Sequence, residues 1–214
     1  AWTDNDVTKA HEWESLDKPL LSIHDKDAQW WENQVQYKST IYYDKNKTMG
    51  YPFVMFYNAA GIHPETHYKA ERVGIALSKD MKNWKRYSGN PVFSHESSGT
   101  ITGDAQIQKM GDIYVMFYYS AHNPTRKYKA YNTFACSYDL VHWNEWQGED
   151  LVIPSEDYDE KYAHKCFVLK HDGIVYHFYC AVNHNDQRGI AVATSKPMGK
   201  SKIAFPKPNN KGKD

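Results

Sequence analysis

Apolar and polar positions recur along this chain in blocks of about 60 residues. Three aromatic runs, at 53–57, 114–118 and 175–179, put Phe56, Phe117 and Phe178 at two successive spacings of 61. Each is followed by a run of small residues, at 74–78, 133–137 and 190–195, in which Ser78, Ser137 and Ser195 stand 59 and 58 apart. A third run precedes each aromatic one, centred on Ile41, Ile107 or Val168, at steps of 66 and 61; the excess sits in the longer turn at 44–50. β-Branched and aromatic residues between turn signals favour strands. Every block therefore predicts a strand, a turn with Gly, an aromatic strand, a loop, a small-residue strand, then a polar turn ending in Trp and a last short strand. A four-stranded antiparallel module of this length is close to the roughly 40 to 50 residues of known propeller blades.

The polar turn is itself repeated, as Ser78-Lys79-Asp80 before Trp84 and Ser137-Tyr138-Asp139 before Trp143. An Asp so placed accepts backbone N–H bonds, and the Trp is expected to wedge between blades. Trp13 with residues 16–21 resembles Trp84 with 91–93, so 1–23 reads as the tail of a preceding blade. Blades are then expected at 24–95, 96–154 and 155–214 of one propeller domain, with 200–206 as the last strand. Propellers close with at least four blades. Three blades and a remnant thus imply a very small ring, a second copy, or, as the favoured reading, a piece of a larger protein.

Charge and composition narrow the function. Lys and Arg number 26 and Asp and Glu 26, a net charge of zero, and no basic run offers a phosphate-binding face, so nucleic acid is an unexpected partner. No apolar run approaches the roughly 18 residues of a membrane span. The first residues carry neither a cationic nor an apolar leader, though a cleaved leader leaves no trace. Aromatic residues make up 15% of the chain, supplying both core area and flat faces for sugars or bases. Cys136, Cys166 and Cys180 are too few for a disulfide framework. Cys166 and Cys180 flank the turn at 171–173 nearly symmetrically, and read either as a pair facing across a hairpin or as buried free thiols.

The stretch from Asp104 to Ser120 resembles the Asp-led first strand of five-bladed propeller glycoside hydrolases, and segments 75–84 and 135–143 are similar to the strand-and-turn motif of the same group. That group includes arabinan and xylan side-chain hydrolases (family 43), fructan hydrolases (family 32) and mannoside phosphorylases (family 130). The resemblance covers roughly residues 35–196. It implies an all-β, five-bladed-type propeller, of which about three blades and a partial N-terminal blade are present. It also implies hydrolysis of a plant or algal glycan, secreted or periplasmic residence, and further blades or another chain to complete the ring.

In a propeller the first strand of each blade lines the axis, so repeat position identifies the side chains that share the central funnel. Three residues before Ile41, Ile107 and Val168 stand Lys38, Asp104 and Lys165, with His164 beside the last. Glycosidic cleavage takes a proton donor and, on the opposite face, a base or nucleophile, normally two carboxylates. Asp104 supplies one. The group's pattern of Asp, Asp and Glu on three consecutive first strands is broken at Lys38 and Lys165, so the second carboxylate is sought in Glu71, at a strand start, in Glu160, in an acidic loop, or on an absent blade. Against this, Glu71 reads as a solvated strand end or a salt-bridge partner, and Glu160 as a solvated loop residue.

Substrate contacts are expected from Lys38, His164, Lys165, Glu32, Trp31 and Arg188. The lysines either hold a substrate anion and tune Asp104 or simply pair with it. Trp30, Trp31 and Tyr37 form either a wall for a sugar ring or interblade packing. No cofactor is expected and no metal-ligand cluster is visible; the resemblance to family 43 admits a structural calcium ion at the axis, near His164. Two rival functions remain: a phosphorylase, with the lysines and Arg188 on inorganic phosphate, and an inert sugar-binding propeller.

Overall fold

The structure, a computed structural model, describes Thr3 and residues 5–199. Its strands form three antiparallel sheets. The first holds β1 (Val35–Tyr43), β2 (Phe53–Ile62), β3 (Lys69–Ser78) and β4 (Trp84–Arg86) in that order. The second repeats it with β5 (Ile101–Met110), β6 (Ile113–Ala121), β7 (Ala130–Ser137) and β8 (Asn144–Glu145). The third orders β9 (Tyr162–His171), β10 (Ile174–Val182) and β11 (Arg188–Thr194) as three strands. These are consecutive blades of a partial β-propeller, as the repeat implies. The strand anticipated at 200–206 lies outside the described residues.

The middle blade shows why the aromatic runs are aromatic. Along β6, Tyr114, Met116 and Tyr118 pack with Val54, Phe56 and Ile75 of the first blade, while Val115 and Phe117 pack with Val168 of the third. Alternate side chains leave opposite faces of a strand, so a strand sandwiched between two sheets needs large apolar groups at every position. Facing strands carry small residues such as Ala76 and Ala135, both fully buried.

The two polar turns are built alike. Ser78 Oγ accepts the N–H groups of Asp80 and Met81, and Asp80 Oδ1 accepts those of Lys82 and Asn83. Ser137 and Asp139 repeat the arrangement on Leu140, Val141 and His142. Trp143 then crosses Phe56 of the neighbouring blade, the rings 6.0 Å apart at 81°, which is the wedge expected of it.

Residues 5–34 contain no strand, only single 3-10 turns at Ala10–Glu12 and Trp30–Glu32. Arg86 ties this segment to the first blade. Its Nη1 reaches Asp25 at 3.0 Å and Asp27 at 2.7 Å, its Nη2 donates to Ser22 O at 2.8 Å, and its Nε lies 2.9 Å from Glu32.

Candidate active site

Each first strand is interrupted at the same place. The pairing of β1 with β2 skips Lys38 between Tyr37 and Ser39, that of β5 with β6 sets Asp104 and Ala105 against Tyr118 alone, and that of β9 with β10 sets Lys165 and Cys166 against Tyr179 alone. One extra residue makes each a β-bulge, and the bulged residue takes a left-handed backbone: φ is 49° at Lys38, 56° at Asp104 and 63° at Lys165. Such backbone is uncommon outside glycine and persists where the surrounding fold imposes it. It swings the three side chains out of the alternating pattern and together.

Lys38 Nζ lies 3.1 Å from Asp104 Oδ2, and Lys165 Nζ 3.9 Å from Asp104 Oδ1. Lys165 also donates to the Tyr119 hydroxyl at 3.2 Å. The Asp104 N–H donates to Asn58 Oδ1 at 3.0 Å, and Cys166 Sγ to the Asp104 carbonyl at 3.2 Å, so the bulge is held from both flanking blades. Glu71 enters from the start of β3. Burial raises its pKa, opposed by a hydrogen bond from Tyr37 and by Lys165, and reinforced by the Asp104 charge. His164 stacks on Tyr162, centroids 5.7 Å apart. Burial, then the charges of Lys165, Arg188 and Lys38, push its pKa down to about 4. Burial likewise lowers the pKa of Lys165, against the attraction of Asp104.

Asp104 Oδ1, Glu71 Oε2 and His164 Nε2 are buried and without a hydrogen-bond partner in the chain. Buried polar atoms of this kind are rare, and several in one cluster mark groups directed at a ligand. A carboxyl group whose pKa burial raises, a second carboxyl group beside two lysines and an imidazole can together donate and accept protons across a bound hydroxyl or ether oxygen.

The other sequence candidates fall elsewhere. Glu32 is fully buried, fixed by Arg86, Tyr57 and Gln36, and Trp31 is fully buried as well. A Cβ at Gly74 would come within 2.4 Å of the Trp31 ring, so blade backbone closes over the indole and no sugar reaches it. Both are corrected to structural roles. Glu160 accepts the His184 N–H at 3.0 Å in a separate loop contact. Arg188 is exposed at the start of β11 and acts on His164 through its charge. Cys166 and Cys180 are free: the hairpin register sets Cys166 in the bulge against Tyr179, and Cys180 pairs with His164. Calcium takes hard oxygen ligands. The cations that depress His164 make its surroundings unfit for that ion, and no group of three His, Cys, Asp or Glu side chains that could hold a metal occurs among the described residues.

Sequence reasoning missed Asn58 and Tyr119. Both directly follow the aromatic run of their blade, 61 residues apart, so the same repeat count carried the signal.

Three consecutive blades with bulged first strands give the chain the fold of a partial β-propeller, which solved glycoside hydrolases share. Comparison with solved structures makes this specific. Over 96% of its length the chain is 74% identical to a protein solved as a BT0996–RGII complex, with a TM-score of 0.92. A solved "Glycoside hydrolase" is 73% identical over the same share, again with a TM-score of 0.92. The chain spans 58% of the length of each. A β-1,2-mannobiose phosphorylase from Listeria innocua shares the fold at 14% identity, with a TM-score of 0.62 over 85% of this chain and 45% of that one. No protein-family model matches the chain, and no curated protein matches it.

Proposed function

We propose that the protein hydrolyses a glycosidic bond in a plant or algal glycan, acting outside the cell or in the periplasm. The observation that carries this is the convergence of Asp104 and Glu71, two carboxyl groups in unlike surroundings, at one cluster of unpartnered polar atoms. Environments that separate two carboxyls suit one to donate a proton and the other to act as base or to stabilise positive charge on the sugar ring. Burial favours the protonated Glu71, which we assign as the donor to the leaving oxygen. Asp104, held by Lys38 and Lys165, is assigned as base or charge stabiliser. Glu160, engaged with His184, has no part in this reading.

The high identity to a protein solved in complex with RGII makes RGII oligosaccharides the first substrates to test. The assay is product release by the full-length protein from these, from a wider glycan panel and from aryl glycosides, with and without inorganic phosphate. Asp104→Asn keeps the shape and removes the charge, and is expected to lower kcat/KM by about a hundredfold or more. Turnover that the variant leaves unchanged overturns the assignment. Turnover that needs phosphate identifies a phosphorylase, and binding without turnover an inert propeller.

A further inference from the structure

Beside Glu71, on the opposite face of β3, Arg72 is fully buried although it carries a charge. Glu96 neutralises it from two oxygens, each 3.0 Å away, and Ala70 O accepts a third bond at 3.1 Å. Above the guanidinium lie two rings: Trp30, its centroid 4.8 Å from Arg72 Cζ, and Tyr68, at 5.4 Å. His63 joins them, stacked on Tyr68 at 5.4 Å and 12° and edge-on to Trp30 at 4.7 Å and 71°. Trp30 comes from the turn before β1, and His63 and Tyr68 from the loop between β2 and β3. Lys38, Glu71 and Asp104 sit two to three residues inside the strand ends at this same end of the propeller, so the rings stand on the rim of the funnel.

The polar groups around these rings are engaged. Tyr68 and Ser94 donate to Glu96, and His63 Nδ1 accepts the N–H groups of Glu65 and Thr66, both at 3.2 Å. With Nδ1 accepting, the neutral His63 ring carries its proton on Nε2, which is a donor. With the arginine matched by a glutamate, the cluster offers neither net charge nor unmet hydrogen bonds beneath the rings. Yet Trp30 remains 36% exposed, although its ring lies over Arg72 and meets the His63 ring at 71°. A rigid, uncharged aromatic face with one donor beside it suits the C–H face and a hydroxyl of a neutral sugar ring.

We propose that Trp30, His63 and Tyr68 form a second carbohydrate subsite, which stacks a neutral sugar ring of the glycan lying beyond the residue bound at Asp104. The proposal rests on the glycan reading of the funnel and adds a preference for longer substrates.

The test uses the full-length protein with an oligosaccharide of three or more sugars from the glycan panel, against an aryl glycoside of a single sugar. Binding is measured by calorimetry in the Asp104→Asn background, which separates it from turnover. Trp30→Ala is expected to raise Kd for the oligosaccharide about tenfold and to leave the aryl glycoside unaffected. kcat/KM in the otherwise native protein should fall by the same factor for the long substrate alone. His63→Gln, which keeps a donor, and Trp30→Phe, which keeps a ring, should each retain most of the affinity and confirm that the fold survives. Equal losses on long and short substrates, or none on either, overturn the subsite and leave the rings as a cover for Arg72. The hydrolysis reading fails separately, through unaltered turnover by Asp104→Asn.

Discussion

At Asp104 a single backbone torsion decides where a carboxylate goes. Gly103, just before the left-handed bulge residue, lets Asn58 approach: a Cβ there would fall 1.8 Å from Asn58 Nδ2. Gly103→Ala must push that amide away, although its Oδ1 holds the Asp104 N–H. The expected result is a loss of roughly 1–3 kcal/mol in urea unfolding, as for other overpacked positions, together with reduced turnover. Glu71 permits a second test, in the pH profile. A proton donor works only while protonated, so activity should fall as pH rises through its elevated pKa. Glu71→Gln should lower kcat by about 10²–10⁴-fold and remove that alkaline limb from the residual rate. A profile unchanged by the substitution would reassign the donor.

At the scale of elements, the first blade is fastened to the segment before it by one buried ion pair. Arg86 on β4 and Glu32 are both essentially out of solvent, whereas the Asp25 and Asp27 that share the same guanidinium are exposed. Removing one member of a buried pair leaves its partner without compensation, so Glu32→Ala should cost roughly 3–5 kcal/mol. Asp27→Ala should cost less than about 1 kcal/mol, as exposed pairs do. Denaturant midpoints of the two variants would separate them; equal effects would contradict this account. The same pair explains what the sequence could and could not disclose. Strands and their order were legible because each blade repeats its apolar periods, and Lys38, Asp104 and Lys165 were legible because the bulges recur with the repeat. Glu32 and Trp31 belong to no repeat, and their fate depends on Arg86 and Gly74, which are distant in sequence and have no local mark. The misplacement of Cys180 has a local cause: the hairpin turns on Asp172 and Gly173 and pairs Phe178 with Phe167, so Cys180 is already out of step with Cys166 before the bulge moves it one residue further.

Over the whole molecule, stability should depend on acid more than the balanced net charge suggests. Two histidines lie in blade interfaces rather than at the surface: His164 and His177, each with a pKa pushed down to about 4, by burial first in both cases. Between pH 6.5 and about 4 the unfolded chain binds protons at these positions that the folded chain refuses, so stability rises with pH across this window and is lost on acidification. Glu71 acts with the opposite sign. Its raised pKa makes the folded chain the better proton binder just above the ordinary glutamate value, so it stabilises as pH falls and offsets part of one histidine. The melting temperature should therefore drop from pH 6.5 to 4.5, less steeply than two histidines alone would require. His177→Gln, away from the Asp104 cluster and beside Asn132, should flatten the slope without altering the pH profile of activity. Glu71→Gln should steepen it, because the compensating carboxyl is gone while both histidines remain. A slope that neither substitution moves would place the acid sensitivity outside the blade interfaces.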